Sequence, residues 1–166
     1  SHVGGFGLAM LAGGAGQATC VDGSAAALEL AVQGAEAGGF KDKLTARQGD
    51  AFDVLAALGQ EGETFDVVIC DPPAFAPSRQ ALDAGLRAYE RVARLSAQLV
   101  AENGILGLCS CSHAADLGQF RTASVRGIGR AGRRGILPFL KDGREVPEEL
   151  TQKYRGAMRE DYTRKR

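Results

Sequence analysis

The sequence predicts an α/β fold, a parallel sheet with helices on both faces, and three observations carry that reading. Short apolar runs alternate with longer segments of helical period, which gives a β-α-β-α order. The 23 glycines are spread between those segments, as many tight turns require, and not gathered in a low-complexity tract. The chain has 166 residues, and a domain of that size buries about 70% of the surface its unfolded chain exposes, so a core forms without crosslinks.

Taken in order, "QATCVD" (17–22) is a β-rich run that closes on an acid. "SAAALELAVQGAEAGG" (24–39) starts at a Ser cap and stops at Gly38-Gly39, the punctuation of a helix. "DKLTARQGD" (42–50) reads as a second strand and "AFDVLAAL" (51–58) as a short helix after it. "TFDVVICDPP" (64–73) is a strand stopped by two prolines. From Ser78 to Ala101, Leu82, Leu86, Tyr89, Ala93 and Leu99 recur at helical spacing, with Asn103-Gly104 as terminator. "GILGLCS" (104–110) is again strand-like. In "VPEELTQKYRGAMREDYTRKR" (146–166), Pro147 stands in the first turn, acids follow and basic residues close the segment, an order that complements a helix dipole.

The formal net charge of zero hides an asymmetry. Residues 1–112 carry 7 Lys and Arg against 13 Asp and Glu, and residues 113–166 carry 13 against 7. The basic C-terminal third suits phosphates or is a solvated helical surface. No basic-then-apolar leader and no apolar run of about 18 residues is visible, so the chain reads as cytoplasmic, with no membrane partner. Four cysteines are too few and too irregularly spaced for a disulfide framework.

Open parallel sheets bind ligands beyond the carboxyl ends of their strands. Standing there are Gly4-Gly5-Phe6-Gly7, Asp22, Asp50, Asp71-Pro72-Pro73 and Cys109-Ser110-Cys111. The glycine cluster is a structural turn or a place where backbone approaches a ligand, and it is not the G-x-G-x-x-G of dinucleotide sites. Asp22 is an acceptor for ribose hydroxyls or a helix-capping acid. Asp50 is a turn acid or an acceptor for an adenine amino group. "DPPAF" (71–75) is more specific, because a rigid loop after a buried strand suits a platform that grips a planar base by its edge, with Asp71 bonded to it.

"LCSCSH" (108–113) poses the sharpest question. C-x-C is not a zinc spacing and no second ligand pair exists, so no metal is expected. A disulfide between residues two apart on a strand is geometrically poor. Buried thiols or a nucleophile remain. Cys20 and Cys70 lie inside apolar runs and read as buried and inert.

"GGFGLAMLAGGAGQATCVDGSAAALELA", "GDAFDVL", "FDVVICDPPAFA" and "NGILGLCSCSH" resemble the RlmI-type bacterial methyltransferases over residues 1–136. These are class I enzymes that use S-adenosylmethionine to make 5-methylcytosine in large-subunit (23S) ribosomal RNA. The resemblance implies a Rossmann-like domain over 1–136, shortened at its N-terminus by the strand that should precede the glycine loop, and a basic helical tail over 137–166. It implies a cofactor site of Gly4, Gly5, Phe6, Gly7, Asp22, Ser24, Asp50, Ala51 and Asp71. Cys111 matches the nucleophile and Asp71 its catalytic partner, while Pro72, Pro73 and Phe75 match the loop that holds the substrate base. Ribosomal RNA is the implied partner. Ala74 departs from the family, which often has lysine there, and the family's Asp-His-Pro ending is absent.

Two rivals stand beside this reading. A methyltransferase for exocyclic amines would use Asp-Pro-Pro-aromatic without a cysteine. A truncated domain without activity would bind RNA or a partner through the basic tail. A nicotinamide dehydrogenase leaves "DPPAF" and "SCS" unexplained.

Overall fold

The computed structural model of the protein describes residues 2–133. The tail over 137–166 and the helix expected within it lie outside the described residues. The elements run α1 (Gly5–Ala12), β1 (Ala18–Asp22), α2 (Ala25–Ala37), β2 (Leu44–Gln48), α3 (Ala51–Gln60), β3 (Phe65–Cys70), α4 (Leu82–Gln98), β4 (Val100–Leu108) and α5 (Leu117–Arg130).

Local chemistry sets these boundaries. The Ser24 hydroxyl accepts the Ala27 N–H at 3.3 Å and starts α2, and Asp50 caps α3 in the same way. Two expectations are corrected. The glycine cluster is a turn only at Gly4, which caps α1, while Gly5 to Gly7 form its first helical turn. Asn103-Gly104 does not end the preceding helix, which stops at Gln98. The pair lies inside β4, where Asn103 has φ 61° and the register against β3 shifts. The extra residues are absorbed as a bulge, so the strand begins at Val100 instead of Gly104. α5 carries a signal that the pattern of apolar residues does not. Asp116 Oδ1 accepts the Gln119 N–H at 2.8 Å while Gln119 Oε1 accepts the Asp116 N–H at 3.1 Å, a reciprocal cap.

The four strands are parallel and flanked by helices, in two pairs. β1 pairs with β2, with Ala18 opposite Leu44 and Asp22 opposite Gln48. β3 pairs with β4, with Cys70 opposite Leu108. No hydrogen-bonded ladder joins the pairs among the described residues, so the expected sheet stands as two. In each pair the carboxyl ends are level, which brings the residues that follow them side by side.

One apolar cluster, Leu55, Leu58, Val92, Leu95 and Leu99, joins α3 to α4. A second, Tyr89, Phe120 and Ala123, joins α4 to α5, and Phe75 packs against both. No helix among the described residues is long and apolar enough to cross a membrane.

Candidate functional site

At the ends of β1 and β2 the backbone is brought close by glycine. Gly4 has φ +76°, and a Cβ there would stand 2.7 Å from the Ala31 Cβ, so only glycine fits between α1 and α2. Asp22 closes β1 and gathers donors: the His2 N–H reaches Oδ2 at 2.6 Å and the Ser24 N–H reaches Oδ1 at 2.9 Å. The Gly49 N–H donates to the Asp22 carbonyl at 3.1 Å, which places Asp50 beside the same turn. Asp50 Oδ1 accepts from Phe52 and Asp53, and Ala51 is the first helical residue beyond it. Gly4, Asp22, Ser24 and Asp50 therefore share one neighbourhood. Gly5 and Phe6 are exposed on α1 beside it.

At the ends of β3 and β4 stand Asp71 and the two later cysteines. The Cys109 N–H donates to the Cys70 carbonyl at 2.8 Å, continuing the ladder and setting Cys109 next to Asp71. Cys109 is half-buried; burial first, then the Asp71 carboxylate and Cys70, push its thiol up. Cys111 is exposed, and its Sγ lies 3.9 Å from the Pro72 carbonyl oxygen. Ser112 Oγ accepts the Ala76 N–H at 3.0 Å, so the thiol loop and the proline loop are joined twice. Asp71 and Pro73 are exposed, whereas Phe75 points inward, with its ring 5.0 Å from Tyr89 and 5.8 Å from Phe52. A Cβ on Gly85 of α4 would stand 2.7 Å from the Phe75 carbonyl oxygen, so glycine there lets the loop lie directly on the helix.

The Phe52–Phe75 stack connects the neighbourhoods, since Phe52 follows Asp50 and Phe75 follows the prolines. Cys20 is 2% exposed, and the Cys70 thiol lies 2.8 Å from Ser96 Oγ, pushed up by burial. The geometry thus separates an accessible thiol, Cys111, from three that are covered to differing degrees. Among the described residues no group of three or more His, Cys, Asp or Glu could hold a metal ion. A hollow of about 500 Å³ between α4 and α5, lined by Asp83, Arg87, Glu90 and Arg126 among others, contains none of these residues. Tyr89 is the residue the sequence reading missed: helical spacing marks it as core, and nothing local shows that it lies beneath both loops.

Known proteins bear on this arrangement. The ribosomal RNA large subunit methyltransferase I of Aeromonas salmonicida is 36% identical over 149 residues, 89% of this chain and 38% of that protein. Its counterpart in Photobacterium profundum is 40% identical over 121 residues, 72% of this chain and 30% of that protein. The chain thus spans about a third of the length of the curated relatives it matches. A solved structure assigned as a methyltransferase and complexed with SAH aligns over 75% of this chain and 33% of its own, with TM-score 0.66 and 23% identity. Another, assigned as a SAM-dependent methyltransferase from Streptococcus mutans, aligns over 77% and 33% with the same score and identity. At that identity the two show the fold. A family model for a methyltransferase domain matches residues 4–131, and the chain belongs to that family.

Proposed function

We propose that this chain carries the catalytic domain of an S-adenosylmethionine-dependent enzyme that methylates carbon 5 of cytosine in large-subunit ribosomal RNA. The observation that carries the reading is the exposed Cys111 thiol 3.9 Å from the Pro72 carbonyl, on a loop beside Asp71. The relatives named for ribosomal RNA large subunit methylation support the substrate class.

The cofactor fits the first neighbourhood. Space beside Gly5 is open, with no atom within 4 Å of where its Cβ would be, and at Gly23 the nearest is a carbonyl oxygen at 3.9 Å. Beside that side-chain-free strip, Asp22 is suited to ribose hydroxyls and Asp50 to an adenine edge, with Ser24 and Ala51 at the adjoining helix starts. When bound, S-adenosylmethionine supplies an electrophilic methyl group on a sulfonium.

Carbon 5 of cytosine is a poor nucleophile, and the chain's own residues change that. The Cys111 thiolate adds to carbon 6, forming an S–C bond while the ring's double-bond electrons move toward the ring nitrogen. Asp71 shares a proton with that nitrogen and so stabilises the charge it gains. Carbon 5 is thereby made nucleophilic toward a methyl donor; once carbon 5 carries the methyl group, its proton is lost to solvent, and the electrons of that C–H bond restore the ring double bond and expel the cysteine as thiolate. Splitting one hard step into two easier ones is covalent catalysis. Pro72 and Pro73 keep the backbone that holds the base rigid.

The test uses an RNA containing 5-fluorocytosine, supplied with S-adenosylmethionine. Fluorine blocks the final proton loss, so a protein–RNA adduct accumulates on a denaturing gel. Cys111→Ser should abolish the adduct and Cys109→Ser should leave most of it. The reverse pattern would move the nucleophile to Cys109. Methyl transfer that needs neither thiol would favour the exocyclic amine as target.

A further inference from the structure

Tyr89 is a buried phenol that the reaction just described does not use. It is 1% exposed, and a buried hydroxyl is costly unless it is hydrogen-bonded. Its partners are unusual in their placement. Ser110 Oγ donates to the Tyr89 hydroxyl at 2.8 Å, and Ser112 Oγ lies 2.7 Å from it on the other side. These two serines flank Cys111. Ser110 Oγ also accepts the Ser112 N–H at 3.3 Å, and Ser112 Oγ also accepts the Ala76 N–H at 3.0 Å. One phenol thus draws both neighbours of the cysteine inward. Cys111, between the two serines, is itself exposed and near Pro72.

The ring itself is held. Phe75 approaches it at 5.0 Å with planes at 58°, and Phe120 at 5.0 Å edge-on at 85°. A tyrosine has few rotatable bonds, so a ring fixed on two sides fixes its hydroxyl. Phenylalanine would fill the same space between the rings, so packing does not explain the hydroxyl. Its partners do.

We propose that Tyr89 is the positioning residue for the Cys111 thiol. Its hydroxyl clamps Ser110-Cys111-Ser112 against the Asp71–Ala76 loop, so the sulfur and the Asp71 carboxyl meet one base from fixed positions. This rests on the reading of Cys111 as nucleophile. A thiol that is free to wander loses the alignment that covalent attack needs, and displacement of about 1 Å can cost on the order of a hundredfold in rate.

The experiment measures 5-fluorocytosine adduct formation under single-turnover conditions for the whole chain, its Tyr89→Phe variant and its Cys111→Ser variant. Tyr89→Phe should slow adduct formation at saturating RNA by about a hundredfold. Its RNA concentration dependence and its S-adenosylmethionine affinity should stay within about twofold of the unaltered chain. Alkylation of Cys111 by iodoacetamide should also stay within about twofold, because a small probe finds the sulfur in any orientation. A merely structural role would move alkylation, binding and adduct formation together, and that result overturns the proposal. So does an adduct rate unchanged in Tyr89→Phe while Cys111→Ser abolishes the adduct. An adduct that survives Cys111→Ser instead sinks the nucleophile assignment on which the proposal rests. Ser110→Ala gives a second view that keeps the phenol: it should slow the adduct, and combining it with Tyr89→Phe should add less than about twofold, since both open one clamp. Independent, multiplying losses would show two separate roles and count against the clamp.

Discussion

Around β1 and β2 the buried side chains are Leu11, Cys20, Leu28, Ala31 and Ala35, whereas around β3 and β4 they include Tyr89, Val92, Leu95, Leu99 and Phe120. The first half sets small residues beside two leucines, and the small ones let backbones approach: a Cβ on Gly4 would stand 2.7 Å from Ala31 and one on Gly7 2.8 Å from the Cys20 sulfur. The second half is filled by large side chains, with a string of rings from Phe52 through Phe75 and Tyr89 to Phe120. Under the function proposed above, the difference matches two tasks. A half that offers backbone and carboxylates to a ligand needs side chains out of the way. A half that aims a thiol and a carboxylate at a base needs its loops pinned from below.

The largest expected effects follow from that contrast, with opposite kinds of substitution. Leu99 is 1% exposed within the α3–α4 cluster, so Leu99→Ala should cost about 2–5 kcal/mol by lost transfer energy and a cavity. Gly4→Ala should cost about 1–3 kcal/mol through overpacking, with the left-handed backbone adding to it. Urea denaturation of both variants checks this. A Gly4→Ala variant as stable as the unaltered chain would remove the claim that close approach organises the first half.

A smaller effect concerns ligand binding alone. Asp22→Ala should weaken S-adenosylmethionine by at least about 1.5 kcal/mol, the low end for hydrogen bonds to a charged group. Cys111→Ser, in the other half, should leave that affinity unchanged. Isothermal titration reads both. Unchanged affinity in Asp22→Ala would move the ribose contact elsewhere, and a loss in Cys111→Ser would mean that the two halves do not divide the work.

How much of this was legible depends on the range of the interaction. β1 and β3 were legible because each is a short apolar run with a definite stop, Asp22 in one case and Asp71-Pro72-Pro73 in the other. α2 was legible from the Ser24 cap and the Gly38-Gly39 end, both local signals. The start of β4 was not, because Asn103-Gly104 has the chemistry of a helix terminator and only pairing with β3 makes it a bulge. α5 is rich in glycine and arginine, so periodicity was faint, although Asp116 and Gln119 stand at the spacing of a reciprocal cap. Asp71 and Cys111 could be singled out one by one as residues following strands. The clamp could not, since Tyr89 meets Ser110 and Ser112 across 21 and 23 residues, and no spacing rule reaches that far.

The smallest effect leaves stability and cofactor binding alone and sharpens the contrast between the two thiols at the end of β4. Cys109 is raised by burial first, then by the Asp71 carboxylate, then by Cys70. Alkylation proceeds through the thiolate, and a raised pKa lowers the thiolate fraction at every pH below it. Labelling of Cys109 by iodoacetamide, followed by mass spectrometry across a pH series, should therefore rise later than labelling of the same residue in urea, where the thiol regains its ordinary value. Asp71→Asn removes the neighbouring carboxylate and should shift the Cys109 profile to lower pH. It should not restore the unfolded profile, because burial, the largest cause, remains. Exposed Cys111 should be labelled ahead of Cys109 throughout. Cys109 labelled first, or a profile unmoved by Asp71→Asn, would mean that the carboxylate does not face that thiol. The placement of Asp71 between the strand end and the sulfur loop would then have to be redrawn.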